Sequence, residues 1–418
     1  MISSVIPQAT PVRSCLSCGS DHLNPVLDLG TQPLANNLLS EADLTKPEPM
    51  FPLGIQVCSD CWLMQLTQLV PAVDLFSDYL YFSSFSGAML EHAQLATEKY
   101  QREFDLTADS FVVEIASNDG YLLKNFVAAQ IPCLGVEPAA NVAKVARDAG
   151  VETVECFFGA ESAEEIRSDY RSADLILGNN VFAHAPDTND FVAGSKILLA
   201  PEGRVVFEFP YALDFLEKSE FDTIYHEHVF YFSLTALVPL FARHGLTVTD
   251  VERLPIHGGS LRLTARHAGV HQPSDAVAHL LQEERDAGLT GLPRYRELGE
   301  TVTAIKEGLV GLLAELKKDG NSIGAYGASA KGSTLLNYCG IGTETLDFVA
   351  DRSSYKQGKY SPGQHLPILE AEALAAKQPN FALLLTWNFA EEILKQQKAY
   401  QEKGGRFIVP IPTPRILD

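Results

Sequence analysis

Residues 111–120, Phe-Val-Val-Glu-Ile-Ala-Ser-Asn-Asp-Gly, and residues 133–138, Cys-Leu-Gly-Val-Glu-Pro, decide the fold. Each opens as a short apolar run bounded by turn residues, the pattern of a strand buried on both faces. Tyr121 to Ala129 reads as the helix between them, and a second helix runs from Pro138 through Arg147. That is a β-α-β unit, which requires a parallel sheet. The pattern spreads outward. Gly87 to Phe104 precedes it as an amphipathic helix, while Asp174-Leu-Ile-Leu-Gly-Asn-Asn180 and Arg204-Val-Val-Phe-Glu-Phe-Pro-Tyr211 continue it as strands. Open α/β sheets bind ligands beyond the carboxyl ends of their strands. The candidate ligand-binding residues are therefore Glu114, Ala116, Ser117, Asn118, Gly120, Glu137, Pro138, Asn179 and Asn180.

The first turn discriminates between ligands. A dinucleotide fold uses G-x-G-x-x-G so that backbone can approach a pyrophosphate, but Ala116-Ser-Asn-Asp-Gly120 keeps one glycine and carries Asp119. Asp119 would repel a pyrophosphate and would attract the ammonium end of S-adenosylmethionine. Glu137, at the end of the second strand, suits two ribose hydroxyls. The turn favours a methyl donor. Asn179 and Asn180 also read as simple turn caps.

A second glycine-rich turn, Ile323-Gly-Ala-Tyr-Gly-Ala-Ser-Ala-Lys-Gly-Ser333, leads to a helix from Thr334 to Cys339 and a strand ending at Asp351. Lys331-Gly332-Ser333 lacks the Gly-Lys-Ser/Thr order of a P-loop, so ATP hydrolysis is not indicated. Backbone amides and one Lys suit a diphosphate; the same turn serves equally as plain strand-to-helix geometry. Ala382-Leu-Leu-Leu-Thr-Trp387-Asn388 gives a further strand. Ser329, Lys331, Gly332, Ser333, Asp351 and Trp387 are the candidate substrate-binding residues.

Cys15-Leu-Ser-Cys18 and Cys58-Ser-Asp-Cys61 form two C-x2-C knuckles. Four thiolates suit tetrahedral zinc, and with all four positions filled by protein the metal is structural. A thioredoxin-like redox pair is the rival, but that motif occurs once and opens a helix. Between the two α/β units, Asp222-Thr-Ile-Tyr-His-Glu-His-Val-Phe-Tyr-Phe232 sets Tyr225, His226, Glu227 and His228 inside an apolar run. Burying such groups without partners costs about 2 kcal/mol or more each, so four together point to use as a general base at a cofactor site. A half-buried strand with satisfied polar groups is the plainer reading. Tyr79 and Tyr81, in an aromatic run, and His184, after the Asn pair, add polar groups able to reach a ligand.

The 418-residue chain is too long for one core and implies two or three domains. Its net charge of −21 argues against a general nucleic-acid binder. The N-terminus lacks the pattern of a signal peptide and no apolar run reaches the length of a membrane span, so a cytoplasmic protein without membrane partners is expected.

The two knuckles, D-L-G-T-Q-P-L-A-N, Y-L-Y-F-S-S, E-I-A-S-N-D-G-Y-L-L, F-D-T-I-Y-H-E-H, H-G-G-S-L-R, G-A-S-A-K-G and L-L-T-W-N-F together resemble the S-adenosylmethionine-dependent C-methyltransferases of nucleotide-linked ketodeoxysugars, the C-3 and C-5 types of antibiotic-sugar pathways. The resemblance covers nearly the whole chain. It implies an α/β protein with an N-terminal zinc-binding module (1–72), a central Rossmann-like methyltransferase domain (73–255) and a C-terminal Rossmann-like domain (256–418). The nucleotide sugar would lie between the last two, and the architecture is compatible with a monomer. By resemblance His228 is the base; His226 is expected to be structural. Glu227 and Tyr225 shape the base's charge and the substrate's position, and Tyr79 and His184 are nearby hydrogen-bond partners. The family turn is usually G-A-P-A-K-G; here Ser329 replaces its proline. The rival readings are a C-methyltransferase of another activated carbonyl acceptor and a catalytically silent nucleotide-binding protein. A zinc hydrolase on His226 and His228 lacks H-E-x-x-H and a third ligand.

Overall fold

The computed structural model describes residues 9–72, 75, 82–85 and 87–417, with the His257 side chain set aside. Tyr79 and Tyr81 lie outside the described residues. Among those described, no helix is long and apolar enough to cross a membrane.

The central unit is a seven-stranded sheet. Its order is Leu246–Leu254, Ser260–His267, Leu199–Pro210, Ala173–Asn179, Val112–Ile115, Cys133–Val136 and Thr153–Val154. Val112–Ile115 is buried along its whole length, as its unbroken apolar run predicts. The chain passes from that strand to Cys133–Val136 on one side and later to Ala173–Asn179 on the other. The switch point therefore lies between Val112–Ile115 and Ala173–Asn179, the kind of place where open α/β sheets bind ligands.

Ser260–His267 runs antiparallel between Leu199–Pro210 and Leu246–Leu254. By sheet membership, Ser260–His267, the first strand after the expected boundary at 255, lies with the central strands. The physical reason is the turn around Gly258 and Gly259, which folds the chain back into the same sheet instead of releasing it.

The C-terminal sheet has six strands in the order Ile368–Glu370, Val349–Asp351, Ile323–Tyr326, Phe381–Leu384, Arg406–Val409 and Arg415–Ile416. Only the last is antiparallel. Its switch point falls between Ile323–Tyr326 and Phe381–Leu384. The helix after the first strand begins at Ala330, earlier than the expected Thr334, because the Ser329 side chain accepts from the Gly332 amide and caps it.

The N-terminal module is an antiparallel sheet of Leu23–Gln32, Phe51–Cys58 and Met64–Leu66, completed by Phe230–Tyr231 from the central stretch. It is therefore not a detached bead. The 27-residue helix Leu292–Lys318 buries Tyr295, Leu298, Val302, Ile305, Leu309 and Leu313, a three-and-four spacing that makes one apolar face. Tyr295 stacks on Trp62 of the module, so this helix ties the N-terminal sheet to the C-terminal unit.

Candidate functional site

The four cysteines converge. Cys15 Sγ lies 3.5 Å from Cys61 Sγ and Cys18 Sγ 3.7 Å from Cys58 Sγ, and all four sulfurs are within 4.8 Å of one another. Zinc–sulfur bonds of about 2.3 Å in a tetrahedron place sulfurs about 3.8 Å apart, so the donor set fits zinc. No coordination position would remain for a substrate.

At the first switch point the chain makes a tight turn in which Ala116, Asn118 and Gly120 all have positive φ. Glu137 pins it: one carboxylate oxygen accepts from the Asn118 amide at 3.0 Å and the other from the Ala139 amide at 2.9 Å. Asn118 Oδ1 and Asp119 Oδ2 accept in turn from the amides of Ser83 and Ser84. Around this frame, Glu114 Oε2, Ser117 Oγ, Asp119 Oδ1 and both amide atoms of Asn179 are buried with no hydrogen-bond partner among the described residues. Most are acceptors. They match a ligand rich in donors, such as an ammonium, ribose hydroxyls and an exocyclic amine, and they do not match a pyrophosphate. Burial, with Glu137 and Asp119 nearby, pushes the Glu114 carboxyl well above its usual range. Pro138 follows Glu137 in the bend before the next helix, and Asn180 adopts positive φ while its amide bonds Glu208 O at 2.7 Å.

The central stretch is a short 3-10 turn, Phe221–Thr223, then a tight turn closed by the His228 amide on Tyr225 O, then the strand Phe230–Tyr231. His228 Nδ1 lies 2.8 Å from Thr223 O. A carbonyl only accepts, so Nδ1 carries the proton and Nε2 holds a lone pair. The Tyr225 hydroxyl, 2.7 Å away, donates to that Nε2. The His184 ring stands 4.9 Å from the His228 ring and donates from Nδ1 to Glu227 O at 2.7 Å. Burial pushes His184 down to about 4, so it is neutral at pH 7. Burial pushes Glu227 up to about 7, opposed by the Asn36 side chain that donates to it. His226 packs edge-on to Phe51 and bonds Pro52 O at 3.3 Å, within the N-terminal sheet.

The C-terminal turn meets this stretch directly. Trp387 Nε1 donates to Asp222 Oδ2 at 2.7 Å, and Thr334 Oγ1 donates to Ile224 O at 2.9 Å. Among the described residues, Lys331 Nζ is buried without a hydrogen bond, 3.6 Å from Glu220 Oε2 and 5.4 Å from the Trp387 ring. Glu220 Oε1 and Asp222 Oδ1 are likewise unpartnered. Asp351 is occupied at home, accepting from the Ala328 amide at 2.6 Å and the Ser353 amide at 2.8 Å. Gly332 and Ser333 lie in the first helical turn, where the Gly332 amide is taken by Ser329 and the Ser333 amide by Ser329 O.

Sequence reasoning missed Asn36, Glu220, Asp222 and Thr334 as neighbours of the site. Asn36 and Asp222 carried a signal, as parts of the motifs L-A-N and F-D-T-I-Y-H-E-H, but no periodicity could have paired Asn36 with a residue 191 positions away.

The folds and the turns define an α/β methyltransferase unit joined to a zinc module and a second nucleotide-type α/β unit. Three families match in register with these parts: "Putative zinc binding domain" over 15–76, "Methyltransferase domain" over 89–251 and "C-methyltransferase C-terminal domain" over 255–412. The last match starts before Ser260–His267, so it includes the final strand of the central sheet. C-methyltransferase NovU of Streptomyces niveus is 41% identical over 408 residues, covering 97% of each chain. The chain belongs to the S-adenosylmethionine-dependent C-methyltransferases and carries their zinc-binding module. Partial overlaps occur with solved structures. Magnesium protoporphyrin IX methyltransferase of Synechocystis PCC 6803 is 9% identical with a TM-score of 0.35, covering 43% of this chain and 83% of that one. A methyltransferase of Clostridium acetobutylicum ATCC 824 is 12% identical with a TM-score of 0.34, covering 42% and 91%. Neither overlap carries any argument.

Proposed function

We propose that the chain methylates a carbon beside the ketone of a nucleotide-linked deoxysugar, at C-3 in preference to C-5, the two carbons that flank a C-4 carbonyl. The observation that carries this reading is the His228 imidazole, protonated at Nδ1 by its bond to Thr223 O and basic at Nε2. Nε2 removes the α-hydrogen as a proton, the C–H electron pair becomes the enolate, and the ketone returns as the α-carbon bonds to the methyl group. A positioned base of this kind supplies about 10²–10⁴-fold. When bound, S-adenosylmethionine would supply the electrophilic methyl, the S–CH₃ electron pair staying with sulfur in the departing S-adenosylhomocysteine, and Glu137, Asp119 and Asn179 are the residues that would hold it. Tyr225 starts hydrogen-bonded to Nε2 and can turn its hydroxyl to the enolate oxygen as Nε2 takes the proton. His184, held neutral by burial, adds no positive charge beside the imidazolium that forms. Lys331 supplies the cation for the diphosphate, which would take the place of Glu220 as its partner.

The test is incubation with S-adenosylmethionine and a panel of nucleoside-diphosphate ketodeoxysugars beside nucleotide-free ketones. Methyl transfer to a nucleotide-linked sugar, with the new C–CH₃ bond located by NMR, is the expected result. Transfer only to nucleotide-free carbonyl acceptors overturns the substrate class, and nucleotide binding without any transfer overturns the catalytic reading.

A further inference from the structure

The zinc module reaches into the candidate site. Asn36 Nδ2 lies 2.8 Å from Glu227 Oε1 and 3.0 Å from Oε2. Among the described residues it is the only donor to that buried carboxylate. The loop that carries it is fixed at both ends, by the strand Leu23–Gln32 before it and by the paired Leu39 and Tyr360 main chains after it. Pro33 and Ala35 are buried, while Asn36 faces outward onto Glu227. Glu227 is fixed from its other side by His184, which holds its carbonyl.

We propose that Asn36 is a positioning residue for methyl transfer, which makes the zinc module part of the catalytic apparatus and not only a prop. The proposal rests on the reading of Glu227 as a member of the active site. Its physical basis is the shortage of other support for the anion. Among the described residues, the titratable groups around Glu227 are Tyr225, His226 and His228 on its own segment and His184 on the turn packed against it. Burial holds His184 and His226 down at about 4, so neither is a cation at neutral pH. Burial drives Glu227 up to about 7, and the Asn36 amide is the one opposing contribution. Without that amide the carboxyl takes up a proton at higher pH, and the ionised form is scarce where the enzyme works.

The experiment uses the full-length zinc-loaded protein as wild type, Asn36→Ala, Asn36→Asp and Glu227→Gln, each checked for zinc content and thermal unfolding. Carboxyl ¹³C NMR, with the Glu227 signal assigned by its loss in Glu227→Gln, reads the ionisation without any substrate. The Glu227 midpoint should move upward in Asn36→Ala and further in Asn36→Asp, where a second carboxylate faces it. Using whichever nucleoside-diphosphate ketosugar the wild type methylates, the acidic limb of kcat should move by the same amount. A one-unit displacement lowers kcat at pH 7 by about fivefold and leaves KM for S-adenosylmethionine unchanged. A correctly folded Asn36→Ala protein with an unmoved Glu227 midpoint overturns the proposal. A moved midpoint with an unmoved kcat limb overturns the role of Glu227 in the site instead, so the two failures are distinct.

Discussion

The two α/β units solve the same problem in the same way and then diverge. Each ends its second strand in an acid that accepts a main-chain amide of the first turn: Glu137 from Asn118 at 3.0 Å, Asp351 from Ala328 at 2.6 Å. In the central unit the polar atoms around the turn are left open, with Glu114, Ser117, Asp119 and Asn179 all holding buried atoms that have no partner among the described residues. In the C-terminal unit Ser329 caps its own helix and both Asp351 oxygens are taken by local amides. What the second unit leaves open is Lys331, aimed at Glu220 and so toward the other unit. A shared scaffold thus yields one turn with vacant capacity for a donor-rich ligand and one turn that offers a cation across the cleft. Unsatisfied buried capacity, more than the strand-turn-helix shape, distinguishes them.

The largest test removes the residue that belongs to neither turn. His228→Asn should lower kcat by about 10²–10⁴-fold while both ligands bind within about twofold of wild type. Calorimetric titration with S-adenosylhomocysteine and with the nucleotide supplies the affinities, and single-turnover kinetics the rate. Near-normal turnover would end the assignment of His228.

A matched pair of substitutions then separates the turns. Gly120 has φ +77° and an added Cβ would sit 2.9 Å from Val151 Cγ2; Gly327 has φ +93° and an added Cβ would sit 2.4 Å from Thr386 Oγ1. Alanine at either position should cost about 1–3 kcal/mol of stability. Gly120→Ala should also weaken S-adenosylhomocysteine binding and spare the nucleotide, and Gly327→Ala the reverse. If both variants weakened the same ligand, the division of labour between the units would be wrong. Lys331→Met should act in the same sense as Gly327→Ala and more mildly, raising KM for the nucleotide sugar roughly tenfold with the affinity for S-adenosylhomocysteine unchanged.

Much of this contrast is legible in the sequence, and the reasons are local. Glu114, Asp119 and Glu137 declare themselves because strand periodicity fixes where a parallel strand ends, and the ends of parallel strands are where ligands bind. The cysteine pairs do so by spacing alone. The return of Ser260–His267 to the central sheet is not legible, because the hairpin signal of Gly258 and Gly259 does not say which sheet the strand rejoins. Asn36 on Glu227, Phe230–Tyr231 on the zinc-module sheet and Trp387 on Asp222 are likewise invisible to pattern reading. Each is a contact between distant segments, created by how finished units pack. The helix start at Ala330 is within reach of the sequence, since Ser329 is a good cap, but Lys331 to Ser333 read equally as a ligand-holding loop.

Ser329 gives the smallest and most discriminating measurement. Its hydroxyl oxygen accepts from the Gly332 amide at 3.0 Å, and its own amide donates to Gly327 O at 2.9 Å. A proline there, as in the usual family turn, has neither the side-chain oxygen nor the amide hydrogen, so this chain stabilises the helix start by its own means. Ser329→Ala deletes the side-chain cap together with the hydroxyl's longer 3.4 Å bond to Leu385 O. It should cost about 1 kcal/mol, read as a shift of the chemical denaturation midpoint with an unchanged slope. KM for the nucleotide sugar should stay within about twofold, because a hydroxyl engaged in capping contributes its bond to the fold in the free and the bound enzyme alike. An unchanged midpoint together with a severalfold rise in KM would show that the hydroxyl serves the ligand. The C-terminal turn would then hold open capacity like that of the central one, and the distinction between the two units would collapse to the single charge of Lys331.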